Sequence, residues 1–254
     1  MHLIKFLFFI SSLLLSPEVF SQSTIEIAEI LFDKKYEVIE NGKASSTQID
    51  SAIAMFKKSK VEPQKTIGLL KCYEFKASWT AIPTEDRRAL YEKAIALAEE
   101  KTKKYPENGA IAYWYAANYA RRADLLELTE AAQEGVIDEL RKLAENAAAL
   151  NKNYNQAGAL RLLGGIHLEV PSIPLILSWP SEDKARQLLE QAYKIAPQHP
   201  ANVYLYAKML HTLDRDEKAR AIFGELIERQ ERKNYYLVDQ KYIQKAREYY
   251  QENF

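Results

Sequence analysis

The sequence predicts an all-α fold, in which antiparallel helix pairs stack into an α-solenoid with a C-terminal capping helix. Three observations lead there. Apolar residues recur at a spacing near 3.6 along almost the whole chain from Thr24 onward. Helix-breaking residues fall between those runs and not within them. Small and large apolar residues then return at a fixed interval of 34 residues. Only 8 of the 254 residues are Gly, which disfavours many-stranded β folds and Gly-rich phosphate loops. No period-two alternation is long enough to predict a strand.

Residues 1–21 stand outside this pattern and form the first of two predicted regions, the second being the helical domain 22–254. Lys5 supplies a positive start, and Phe6 to Leu15 is apolar and uncharged. Pro17 breaks the run, and Val19-Phe20-Ser21 places small or β-branched residues where a signal peptidase reads. A run of this length is too short to cross a bilayer as a helix, which takes about 20 residues. The segment therefore reads as a cleaved secretory signal, cut after Ser21 or after Ser23, and the protein as periplasmic or secreted. An uncleaved anchor is the alternative. No Cys lies near the cut, so a bacterial-type lipid anchor is not encoded.

Helices follow in order. Ile25, Ala28, Leu31 and Phe32 begin the first amphipathic run. Ile49, Ala52, Ala54 and Phe56 form the next, and Leu90, Tyr91, Ala94, Ala96 and Leu97 a third. Pro83-Thr84-Glu85-Asp86 and Ser181-Glu182-Asp183 predict helix starts, with a polar cap and acids that favour the positive N-terminal end. Breaks are expected at Asn41-Gly42, Pro63, Pro83, Pro106 to Gly109, Pro171 to Pro180, and Pro197 to Pro200.

The repeat gives these helices their pairing. Ala185, Leu189 and Ala192 return as Ala219, Phe223 and Leu226, each 34 residues on. Pro106 is followed by Tyr115, Ala116 and Tyr119 at the offsets by which Pro197 is followed by Tyr206, Ala207 and Leu210. Leu163, Gly164 and His167 make a third large-small-large set. The large residue fills the groove between two helices, the small one lets the partner helix approach, and the Pro turns the chain into the next pair. This is the tetratricopeptide repeat (TPR) pattern, a helix–turn–helix unit of about 34 residues. It is clearest over 86–230 and weak over 45–80, with Lys152 and Glu231 where Pro is usual.

Several segments together resemble a narrower family, the TRAP transporter T-components, also called TatT-like. They are Ala112-Tyr113-Trp114-Tyr115-Ala116-Ala117-Asn118, Leu160-Arg161-Leu162-Leu163-Gly164-Gly165, the Pro-containing insertion after Val170-Pro171, Ala185 through Ala192 with Pro197, and Tyr206-Ala207-Lys208. The resemblance covers about 85–230. It implies a periplasmic accessory protein that forms a homo-oligomer, a trimer, and associates with a periplasmic solute-binding protein. Family members often carry a lipid-attachment Cys. This chain lacks one, which leaves membrane association open. The residues alone also fit a general cell-envelope interaction scaffold with no transport role.

In a TPR solenoid the first helix of each pair lines the concave face, and positions i, i+4 and i+7 or i+8 share one side of it. Over 109–122 these are Tyr113, Ala117 and Arg121. Over 157–169 they are Arg161, Gly165 and Glu169, and over 201–212 they are Tyr204, Lys208 and His211. A groove lined by Tyr113, Arg121, Arg161, Tyr204, Lys208 and His211 is aromatic and basic, suited to a carboxylate-bearing protein surface. The same Tyr residues also fit packing roles, with the charges on a solvated face. The apolar loop 169–183, with Leu175, Leu177 and Trp179, is either a flap that extends the core or an interface. The stretch from Tyr235-Tyr236 to Tyr249-Tyr250 predicts a Tyr-rich helix capping the last repeat.

Other functions find little support. Lys+Arg and Asp+Glu each total 35, so no basic excess suggests nucleic acid. No zinc-ligand spacing, Walker loop, GxGxxG or GxSxG occurs. Cys72 sits among Leu69, Leu70, Tyr73 and Phe75 and reads as a buried structural thiol. No catalytic residue, cofactor or metal is predicted.

Overall fold

The computed structural model describes residues 17–127, 131, 134–172 and 177–254, with side chains from residue 23 onward. The predicted signal run and Leu175 lie outside the described residues. Both predicted cleavage points fall inside the first helix, α1 (Pro17–Asp33). No helix among the described residues is long and apolar enough to cross a membrane.

The helices pair in chain order. α1 packs on α2 (Ser46–Lys58), and α3 (Gln64–Trp79) on α4 (Thr84–Lys104). α5 (Gly109–Ala123) packs on α6 (Val136–Asn151), and α7 (Tyr154–Glu169) on α8 (Glu182–Ile195). α9 (Pro200–Thr212) packs on α10 (Asp216–Ile227), and α11 (Tyr236–Asn253) follows. The fold is thus the expected all-α solenoid of TPR type. Three of its helices, α2, α5 and α8, start where short polar side chains satisfy free backbone N–H groups. Thr47 N donates to Ser45 Oγ (3.3 Å), Ile111 N to Asn108 Oδ1 (3.0 Å), and Lys184 N to Ser181 Oγ (3.4 Å). α4 departs from expectation. Its N-cap is Pro83, with no side-chain cap, and the acids Glu85 and Asp86 in the first turn are what favour that end.

The repeat positions are the core. Ala185, Leu189, Ala192, Ala219, Phe223, Leu226, Ala116 and Ala207 are all fully buried. Gly164 marks a close helix approach. A Cβ there would lie 2.7 Å from Leu189 Cδ2 and 3.2 Å from Leu188 Cβ, so α7 and α8 meet backbone to side chain. Two predicted core alanines are corrected. Ala54 and Ala96 are exposed, and the buried stripes run Ile49, Ala52, Ile53, Phe56 on α2 and Tyr91, Ala94, Ala98 on α4.

Two local features escaped the helical periodicity. Asn41-Gly42 is the turn of a small antiparallel hairpin, with β1 (Ile39–Glu40) paired to β2 (Lys43–Ala44). Both turn residues have positive φ, 50° and 71°, which is why Asn-Gly suits such a turn. Inside α7, Asn155, Gln156 and Ala157 are left-handed, with φ of 48°, 57° and 62°. The right-handed helix therefore begins after them. The Gln156 carbonyl accepts from Arg161 Nη1 (3.0 Å) and Asn202 Nδ2 (3.2 Å), which anchors this unusual turn.

The insertion after Glu169 folds back on the solenoid. Leu177 is fully buried with Val136, Ile137, Leu140 and Leu163. Trp179 Nε1 donates to Asp138 Oδ1 (2.6 Å), the Arg141 guanidinium lies 4.5 Å above its ring, and His167 meets it edge-on. The described part of the loop thus extends the core, and Leu177 and Trp179 do not form an open apolar patch.

Candidate functional site: the face lined by the first helices

The six predicted groove residues lie on α5, α7 and α9, the first helices of three successive pairs, yet none is an open contact point. Tyr113 is buried, edge-on to Trp114 and Tyr154, and its hydroxyl accepts from Asn155 Nδ2 (2.8 Å). Tyr204 is buried among Phe223, Tyr242 and Tyr249, and burial, assisted by Glu169, pushes its hydroxyl pKa up to about 12. The two tyrosines are packing residues.

The cations are already partnered. Arg121 Nε donates to Glu74 Oε1 (3.3 Å) and its Nη1 to Asp124 Oδ2 (3.3 Å). Arg161 holds the Gln156 carbonyl and Asn202 Oδ1 (2.8 Å). Lys208 pairs with Glu169 (2.9 Å), and His211 Nδ1 with Asp216 Oδ1 (3.1 Å). Arg121, Lys208 and His211 each meet an acid, whereas Arg161 meets neutral oxygens.

α11 packs on α9 and α10 and reaches from there toward this face. Leu237 lies in the apolar cluster built from α1 to α4, while Ile243 and Ala246 lie in the cluster of α9 and α10. Between them, Lys241 stands 5.5 Å over the Trp79 ring of α3, and Tyr242 packs 5.8 Å from Tyr204 of α9. Gln156 of α7 donates to Tyr235 Oη (3.3 Å) just before the helix begins. The helix does cap the last pair, through Tyr249 stacked on Phe223. It also reaches back to the first pairs and joins the two ends.

Sequence reasoning missed the residues that make this arrangement: Glu74, Trp79, Asp124, Asn202, Lys241 and Tyr242. Lys241 is the most unusual. Burial pushes its ammonium pKa down to about 8, and the positive charges of Arg121 and Lys245 add to the effect, against Asp124 and Glu74. The spacing Lys241, Lys245 and Tyr242, Tyr249 was a readable signal, since residues four and seven apart share a helix face.

A shallow cleft of about 810 Å³ lies elsewhere, beside the turn from α9 to α10. Met209, Leu210 and Leu213 form its floor and Arg186, Glu190, Arg215 and Lys218 part of its rim. Cys72 is buried, which pushes its thiol pKa up to about 12. Among the described residues no three His, Cys, Asp or Glu side chains gather as a metal site would require.

Residues 182–238, from α8 to the start of α11, match the tetratricopeptide repeat family. Among solved structures, a thermophilic TPR protein of Thermus thermophilus is similar, with a TM-score of 0.59 and 15% identity. The likeness covers 89% of this chain and 98% of that one. No curated protein matches the chain. The chain is an all-α TPR-type solenoid in which residues 182–238 carry the repeat match.

Proposed function

We propose that the protein is a protein-interaction scaffold of the cell envelope that acts as an accessory subunit of a TRAP-type transport system. The observation that carries the scaffold reading is the stack of helix pairs whose repeat positions are buried, since such stacks offer long surfaces for protein partners. The leader-like segment 1–21 supports export to the periplasm. The narrower reading is supported by the T-component-like order of Ala112–Asn118, Leu160–Gly165 and the Pro-containing insertion. The described end of that insertion is held by Trp179 on Asp138. On this reading the partner is a periplasmic solute-binding protein, and the scaffold works as a homo-oligomer, a trimer.

The test is fractionation followed by cross-linking of the full-length chain, tagged at its C-terminus and expressed in its native host. Recovery from the periplasm with a solute-binding protein is the expected result. Recovery of envelope proteins of other classes leaves only the general scaffold. A chain found entirely in the cytoplasm overturns both readings.

A further inference from the structure

The described end of the insertion rests on one histidine. His167 of α7 is buried, and its Nδ1 accepts the backbone N–H of Ser181 at 3.2 Å. A ring nitrogen that accepts carries no proton, so the neutral imidazole holds its hydrogen on Nε2. Ser181 is also the N-cap of α8, where its Oγ accepts from Lys184 N at 3.4 Å. The same imidazole meets the Trp179 ring edge-on at 5.2 Å, and the Arg141 guanidinium lies over that ring at 4.5 Å. Leu177, fully buried, holds the stretch from its other end. One histidine thus touches both the indole and the cap where the insertion turns into α8.

Acid acts on this contact in one direction. A second proton can enter the ring only at Nδ1, and the new N–H then faces the Ser181 N–H, donor against donor. The hydrogen bond is lost, and a charge appears where the ring is buried. The charged groups that bear on the ring come from both flanking helices: Glu145 and Arg141 of α6, and Lys184 of α8. Two of the three are cations. Arg141 Nε is itself buried without a hydrogen-bond partner among the described residues, and Asp138 already accepts from Trp179 Nε1 (2.6 Å). Burial lowers the His167 pKa from its usual 6.5; Glu145 opposes the shift, and Arg141 and Lys184 add to it. In a released stretch the ring regains its ordinary value, so the closed form is fully favoured above about pH 6.5 and loses ground as the pH falls.

We propose that His167 is an acid-sensitive latch on the insertion: the unprotonated imidazole holds Trp179–Ser181 against α6 and α7, and protonation at Nδ1 frees that stretch. Release uncovers an indole, the Arg141 guanidinium and the Asp138 carboxylate, a mixed surface that is shut at neutral pH. The latch is a contact within the chain and is independent of the transport reading.

Amide exchange of the purified full-length chain, followed by NMR between pH 7 and 5 with intrinsic rates divided out, reads the latch. Ser181 should lose protection by up to about tenfold per pH unit below 6.5, ahead of the amides of α4. His167→Gln supplies an acceptor oxygen that does not titrate, so Ser181 should keep its protection throughout. His199→Gln should still show the loss, which separates the latch from that second buried histidine. The imidazole nitrogen shifts of the unaltered chain at pH 7 need no variant and should place the hydrogen of His167 on Nε2. Unchanged protection of Ser181, an equal loss in His167→Gln, a loss abolished by His199→Gln, or a hydrogen on Nδ1 overturns the proposal.

Discussion

His199 ends the turn after α8, nearly buried, with its Nδ1 atom lacking a hydrogen-bond partner among the described residues. Burial, with Arg161 and Arg232 nearby, pushes its pKa down to about 2. In the unfolded chain the imidazole takes a proton near pH 6.5, so between those values the unfolded state binds more protons and stability falls as pH falls. One group with this shift removes about 2 kcal/mol between pH 6.5 and 5. Urea midpoints measured at pH 7 and 5 should show the loss, and His199→Gln should show less of it. His167, also lowered by burial, acts in the same direction. The repeat residues were legible because they recur; Ala185 to Leu226 could be placed in the core from spacing alone. The partners of the groove cations were not. Glu74 is 47 positions from Arg121 and Asn202 is 41 from Arg161, and no periodicity relates them. Nor did anything in Asn155-Gln156-Ala157 announce three left-handed residues, since none is Gly.

Elements were more legible than their neighbours. Helix positions and the breaks between them followed from punctuation by Pro, Asn and Gly. The direction taken by the Pro-rich insertion did not follow, because an apolar loop suits a core and an interface equally until its contacts are known. The contact that decides it is the Trp179 indole on the Asp138 carboxylate. A hydrogen bond to a charged acceptor contributes about 1.5–3 kcal/mol. Trp179→Phe keeps the ring over Arg141 and His167 but removes the N–H, so a denaturation curve should shift by an amount in that range. A variant as stable as the parent would mean that the indole N–H adds nothing to the hold of Leu177 and the ring contacts.

For the whole molecule the capping prediction was incomplete because amphipathicity tells which side of α11 is buried and not how far the helix reaches. Leu237 shares the apolar cluster of α1 to α4, while Ile243 and Ala246 share that of α9 and α10. Leu237→Ala should therefore cost about 2–5 kcal/mol and speed hydrogen exchange in α3 as well as in α9. A change confined to α9 and α10 would show that the helix caps one end only.

The placement of Leu237 also bears on when the native state can form. Repeat solenoids ordinarily grow from any unit outward, each pair resting on the one before. Here Leu237 completes an apolar cluster that begins at Ile25, so that cluster stays unfinished until synthesis has passed Leu237. A nascent chain has no means of finishing its N-terminal core while its C-terminal residues are still in the ribosome's exit tunnel.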